Sequence, residues 1–283
     1  MKSCTLVVCS LTEWIVKDFI DANIPNCEII KDRGFDLPPV KPNVDVAWWM
    51  PTEHAVKLRQ SGLLIPFMAT GSKWMDTVPQ SLTGRYTASG TVKEVLNDET
   101  LFADGKVWIK PAEFKHQEFF AGLYGREEII GFNLPDGAIL QWTDTVMDFS
   151  EEHRFFICEG EVIASSVYLA DNLTYYDGAV SHKAGEASEF AHHAVEVLAD
   201  NQPPAYVLDI GFDKLSGHWV VIEGNPMFSS AIYGADPAQV VKGLLRCANP
   251  KNQDARWLWS PDLYLTNKYA RMRPLQPPTG ILS

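Results

Sequence analysis

Apolar and polar positions alternate in two periods along the N-terminal part of the chain. Leu6 to Cys9 is a short apolar, β-branched run, and Thr12-Glu-Trp-Ile-Val-Lys-Asp-Phe-Ile20 carries apolar residues at helical spacing behind a threonine cap. Strand followed by helix is the expectation. The pattern recurs, with strands over Cys27 to Ile30 and Val44 to Trp49, a helix over Thr52 to Gln60, and a further strand over Leu63 to Phe67. Such alternation predicts a small α/β layer with a largely parallel sheet. The segment contains neither G-x-G-x-x-G nor G-x-x-x-x-G-K-[ST], so it is neither a recognisable Rossmann unit nor a P-loop unit.

Thr91-Val-Lys-Glu94 has the spacing of a capping box and predicts a helix over Val92 to Leu101, with a strand at Val107 to Ile109. Beyond Gly131 the chain turns β-rich: Ala138 to Trp142, Glu152 to Cys158 and Val162 to Tyr168 read as strands, and Glu159-Gly160 marks a hairpin. Ala187, Phe190, Ala191, Ala194, Val195 and Leu198 recur at helical spacing, and Pro203-Pro204 stops that helix before a strand at Val207. Asp236 as cap and Pro237 as first residue open a last helix. No repeat or low-complexity segment interrupts the pattern, and the Trp- and Pro-rich stretch after Asn249 has no clear periodicity.

Composition narrows the function classes. With 283 residues, 46% hydrophobic and 11% aromatic, the chain can build one large core or two smaller ones. Its 36 acids against 24 bases give a formal net charge of -12, a sign that opposes binding to nucleic-acid backbones. No apolar run has the length of a membrane span and no secretory signal opens the chain, so a soluble, cytoplasmic protein is expected. Cys4, Cys9, Cys27, Cys158 and Cys247 include no C-x-x-C pair, and their spacing indicates neither a disulfide framework nor a zinc site.

The chemistry concentrates in Val207-Leu-Asp-Ile-Gly-Phe-Asp-Lys-Leu-Ser-Gly-His-Trp-Val-Val-Ile-Glu-Gly-Asn-Pro226, two apolar strands around a polar turn. Antiparallel pairing would bring Asp209 to the same face as Glu223 and Asn225, an oxygen-rich set of the kind Mg2+ takes together with nucleotide phosphates. A surface hairpin with scattered acids is the alternative. Lys110, ending the apolar strand Val107-Trp-Ile-Lys-Pro111, can hold phosphate oxygens as a point charge, or be an ordinary solvated lysine. Strand alternation puts Glu152 and Arg154 on one face, where the arginine fork suits charge on a transferring phosphoryl group, or forms a structural pair with Glu152. His192-His193 read as surface or packing residues, and His182-Lys183 as part of an exposed loop.

In order, these pieces are strand-Lys-Pro, a loop, an edge strand around Ile139 to Trp142, E-x-R on a strand, a helix, strand-Asp, and strand-Glu-x-Asn-Pro. From about Lys73 to Leu245 this order resembles the ATP-grasp superfamily, most of all the phage-associated clade named for an arginine and two lysines. The resemblance implies a small α/β N-terminal domain over residues 1–90, an ATP-grasp domain over 91–248 and a C-terminal tail over 249–283. It also implies ATP and Mg2+ as cofactors, with Asp209, Glu223 and Asn225 as metal ligands and with Lys110 and Arg154 acting at the phosphates. Lys73 and Lys115 are the positions implied for a second nucleotide lysine; Gln141, Trp142 and Thr143 fall where adenine is recognised, and Asp144 where a ribose hydroxyl is. The implied activity is carboxylate–amine ligation through an acyl phosphate, joining a small-molecule or peptide carboxylate to an amine. A non-catalytic nucleotide-binding module and a phosphotransferase are the competing readings.

Overall fold

The computed structural model describes residues 3–10, 13–33, 36–40, 43–270 and 274–275. Thr12, the cap expected for the first helix, lies outside the described residues. The first layer comprises β1 (Cys4–Cys9), α1 (Glu13–Asp21), β2 (Cys27–Asp32), β3 (Val46–Trp49) and α2 (Thr52–Gln60). Its three strands pair in parallel in the order β2-β1-β3. The middle strand is covered on both faces, which is why Leu6, Val7 and Val8 form an unbroken apolar run.

The expected strand over Leu63 to Phe67 does not form. Pro66 has no amide to donate, and the Phe67 amide bonds Ile65 O at 2.9 Å. Phe67 O instead accepts from Trp259 N at 2.7 Å, and the amides of Met68 and Ala69 reach Cys247 O and Trp257 O at 3.0 and 2.9 Å. Ile65 and Phe67 are apolar because they are buried against other parts of the chain, not because they belong to a sheet, while Leu64 stays exposed.

Next come α3 (Gln80–Thr83), β4 (Thr87–Thr91), α4 (Val92–Asn97), β5 (Val107–Pro111), β6 (Gly122–Tyr124), α5 (Arg126–Gly131) and β7 (Ile139–Thr143). The strands form an antiparallel sheet in the order β4-β7-β5-β6. The strand around Ile139 to Trp142 is therefore internal rather than an edge. The run Thr87-Ala-Ser-Gly-Thr91, without apolar periodicity, covers it. The capping box forms at Thr91 and Glu94, but α4 ends at Asn97 because Asp98 turns to cap a following 3-10 turn, accepting from Thr100 N at 2.9 Å.

A second antiparallel sheet, β10-β9-β8-β11-β12, is built from β8 (Phe149–Cys158), β9 (Glu161–Ala170), β10 (Leu173–Thr174), β11 (Ala205–Asp213) and β12 (His218–Asn225). Glu159 and Gly160 adopt left-handed conformations, φ 51° and 79°, and turn the chain from β8 to β9. Phe155, Ile157, Leu208 and Ile210 project to the side covered by α6 (Ala184–Val197). Alternation sends Phe156 and Val207 to the other side, where they join α7 (Pro237–Cys247) and the parallel layer in one apolar cluster. Hydrogen bonds reinforce that junction: Met50 N to Phe228 O and Trp49 Nε1 to Ser230 O, both 2.7 Å. The region after Asn249 is partly structured, with α8 (Leu263–Tyr269) packed on the four-stranded sheet. Among the described residues no helix is long and apolar enough to cross a membrane.

Candidate active site

Register assembles the acidic cluster. β11 and β12 set Asp209 directly opposite Glu223, and a bulge after Asp209 shifts the pairing so that Ile210 faces Val221. Asn225 lies two residues beyond Glu223 and so shares its face. Its Nδ2 donates to Asp209 Oδ2 at 2.9 Å and to Glu223 Oε1 at 2.8 Å. Gly224 between them is required by space, because a Cβ there would come within 2.6 Å of the Trp74 ring and 2.8 Å of Thr70. Thr70 Oγ1 also donates to Gly224 O at 3.1 Å, fixing the strand end that carries the two polar side chains.

Cations reach this cluster from both antiparallel sheets. Arg154 on β8 pairs in register with Asp209 and grips it with two bonds, Nε to Oδ1 at 2.9 Å and Nη2 to Oδ2 at 2.7 Å. Its Nη1 donates to Ala231 O at 3.1 Å, and the guanidinium lies 5.3 and 5.2 Å from the ring centres of Tyr168 and Tyr233. Lys110, at the end of β5, crosses from the other sheet to form an ion pair with Glu223. Asp209 is 1% exposed and Arg154 8%, whereas 31% of the Glu223 side chain meets solvent. The cluster is thus closed at Asp209 and open at Glu223.

These contacts set the charges. Burial raises the Glu223 pKa, but Lys110, Asn225 and Arg154 outweigh it and hold the carboxyl at about 2. Asp209 moves the other way: the loss of water raises its pKa against the pull of Arg154. Arg154 is itself destabilised as a cation by burial, yet Asp209 more than compensates and keeps it charged. Glu152 is raised by burial and by the neighbouring Asp209 and Glu223, while its Oε2 accepts from the Tyr168 hydroxyl at 2.5 Å.

Of the residues singled out from the sequence, Asp209, Glu223, Asn225, Lys110 and Arg154 form one connected set. Gln141 is buried on β7 and stands beside Lys110 in register, with Ser89 on its other side. Trp142 is half-buried against Gly90. Thr143 donates to Thr145 O at 2.8 Å and Asp144 accepts from Tyr86 N at 3.0 Å, so both shape the turn after β7. Lys73 is exposed, within electrostatic reach of Asp76 and Glu94, and Lys115 is exposed beside Phe114. Among the described residues, no hydrogen bond or ion pair joins either lysine to the acidic cluster.

Four residues enter the site's surroundings with roles that sequence spacing did not supply. Arg85 is 6% exposed and donates to Ile222 O at 3.1 Å; burial lowers its pKa, and Glu223 is first among the acids opposing that. Tyr168 and Tyr233 stack on each other, 5.1 Å between ring centres, beside the guanidinium, and Glu152 anchors Tyr168 rather than Arg154. Only Glu152 had a signal, the E-x-R spacing.

The chain is similar to a Chryseobacterium gregarium RiPP-associated ATP-grasp ligase in complex with ADP and a leader and core peptide, at 10% identity over 89% of this chain and 98% of that one, TM-score 0.47. A D-alanine–D-alanine ligase from Bacillus anthracis aligns at 12% identity over 88% and 97% of the two chains, TM-score 0.48. A RimK domain ATP-grasp protein from Sphaerobacter thermophilus aligns at 10% identity over 87% and 99%, TM-score 0.48. No curated protein matches the sequence. A family model described as "ATP-grasp domain, R2K clade family 2" matches residues 83–243, more than half of the chain and all of the strands that carry the acidic cluster and its cations, and the chain belongs to that ATP-grasp family.

Proposed function

We propose that this protein is an ATP- and Mg2+-dependent carboxylate–amine ligase. The observation that carries the reading is the convergence of Lys110 and Arg154, from different sheets, on Asp209, Glu223 and Asn225. The donor set fits a hard cation: two carboxylates beside an amide whose oxygen takes the place of its nitrogen on a half-turn of the terminal torsion. Asp209, Glu223 and Asn225 would hold Mg2+, which supplies charge neutralisation at phosphate oxygens when bound.

The protein's own groups do the rest by position and charge. Lys110, released from Glu223, holds the phosphates of ATP as a point charge. Arg154, fixed by Asp209, Ala231 and two tyrosine rings, keeps two of its five N–H groups for an oxygen of the transferring phosphoryl group. A substrate carboxylate attacks the γ-phosphorus, breaking its bond to the ADP oxygen, and gives an acyl phosphate. An amine then forms the amide, expels phosphate and loses a proton. No side-chain nucleophile is needed, because alignment and charge stabilisation supply the acceleration.

Room for the substrates exists next to this cluster. A cleft of 810 Å3 opens between Trp14 and Asp18 of α1 and the segment around Asp177, Tyr233 and Gly234. Tyr233 is shared, with its ring facing both the cleft and Arg154. Acids and aromatic rings together suit an amine that arrives as a cation.

Glu223→Gln tests the assignment. It should leave the far-UV spectrum unchanged, weaken Mg2+-dependent ATP binding and nearly abolish ADP release coupled to amide formation. A fully active variant removes Glu223 from the site. Accumulation of a stable phosphate ester by the unaltered protein would identify a phosphotransferase, and failure to bind ATP with Mg2+ would identify a non-catalytic module.

A further inference from the structure

A second cluster of metal-ligating side chains lies in the parallel layer, formed from residues far apart in the sequence. Cys9 ends β1 and Asp32 ends β2, and the register places them opposite each other. Cys9 Sγ is 3.7 Å from Asp32 Oδ2. His54, in the first turn of α2, completes a trio whose ligand atoms all lie within 4.8 Å of one another. Cys9 is 1% exposed and His54 7%, and Nε2 of His54 is buried with no hydrogen-bond partner among the described residues. An unsatisfied buried polar atom costs about 1–3 kcal/mol, so it calls for an explanation.

We propose that Cys9, Asp32 and His54 form a three-ligand site for a divalent transition-metal ion of the Zn2+ type, distinct from the Asp209, Glu223 and Asn225 cluster. The donor chemistry separates the two: thiolate and imidazole favour zinc-like ions, whereas two carboxylates with an amide oxygen favour Mg2+. The spacing is compatible. Zinc bonds of about 2.3 Å to sulfur and about 2.0–2.2 Å to carboxylate oxygen place those atoms roughly 3.5 Å apart in a tetrahedron, close to the 3.7 Å between Cys9 Sγ and Asp32 Oδ2. The imidazole brings its ligand atom within 4.8 Å of both.

The ring is ready to ligate. Loss of water lowers the His54 pKa, with Lys57 adding to the effect against Asp32, so the neutral imidazole dominates. Cys9 is held as a thiol by burial and by Asp32. Binding therefore forms a sulfur–metal bond and breaks the S–H bond, sending one proton to solvent for each ion taken up. Asp32 is half-buried and gives the ion its way in, and three protein ligands leave a fourth position for water or another donor. The site sits at the carboxyl ends of parallel strands, the side on which α/β layers bind ligands.

The test uses the full-length, untagged chain, stripped with a chelator and titrated with Co2+ and then Zn2+. The expected result is one equivalent bound with a thiolate-to-cobalt charge-transfer band, release of a proton, and displacement of Co2+ by Zn2+ but not by excess Mg2+. Cys9→Ser should abolish the band and weaken Zn2+ binding by at least about ten-fold, while Glu223→Gln should leave both intact. Asp32→Asn, at a half-buried position, serves if Cys9→Ser fails to fold, and should weaken binding likewise. Absence of the charge-transfer band, binding unaffected by the ligand substitutions, or binding lost in Glu223→Gln would each overturn the site.

Discussion

At the scale of single residues, the two cations of the cluster are tied down to different degrees, and that difference predicts different phenotypes. Lys110 is bound through one ion pair to a carboxylate that remains partly open, whereas Arg154 uses three N–H groups and rests beside the stacked rings of Tyr168 and Tyr233. Lys110→Met should therefore fold normally and weaken ATP binding, measurable by calorimetry; unchanged affinity would contradict its proposed role at the phosphates. Removal of the lysine also removes the main counter-charge of Glu223, and its carboxyl should titrate well above about 2. Arg154→Met leaves Asp209 buried without its counter-charge, held only by the Asn225 amide, which costs about 3–5 kcal/mol and should appear as a large fall in Tm. These central residues were visible in the sequence because each stands at a strand end or in a spaced motif. Arg85, Tyr168 and Tyr233 were not, since an isolated arginine or tyrosine announces nothing until distant strands pack around it.

Elements were legible where the hydrophobic period was local. The helix over Thr52 to Gln60, the Thr91 capping box, the turn at Glu159-Gly160 and the Asp236-Pro237 helix start all follow from short-range chemistry, and each forms. Pairing partners are not local, which is why Leu63 to Phe67 reads as a strand but is held at Phe67 by the distant Trp259, with Met68 and Ala69 just beyond it on Cys247 and Trp257, and why β7 proves internal. The bulge after Asp209 is of the same kind: invisible in the sequence, yet it sets which residues of β12 face Asp209. Gly224→Ala tests the strand end. A methyl group 2.6 Å from Trp74 must push β12 away from its neighbour, so a loss of about 1–3 kcal/mol in chemical unfolding is expected, with weaker Mg2+ binding. Near-native stability and affinity would show that the Trp74 ring simply moves aside.

The whole molecule couples these parts through the face shared by the parallel layer, α7 and the five-stranded sheet. One edge of that junction is the cleft between α1 and the Tyr233 segment, where Asp18 meets Asp177 and Asp21. Burial first, then these two acids, raise the Asp18 pKa from 3.8 to about 6, and its Oδ2 has no hydrogen-bond partner among the described residues. A carboxyl whose folded pKa is raised binds its proton more tightly in the folded state, so folding gains stability as pH falls from about 6 towards 4 and pays for the charge above that window. Asp18→Asn should accordingly raise Tm near neutral pH, with the advantage shrinking as the buffer is taken down to about pH 4. In the proposed ligase the same substitution removes a charge that attracts a cationic amine, and the KM for that substrate should rise while ATP affinity stays unchanged. A Tm difference that does not vary with pH would show that Asp18 ionises as freely in the folded cleft as in water, and the cleft would then lack the excess of acids over Lys17 that suits it to an ammonium group.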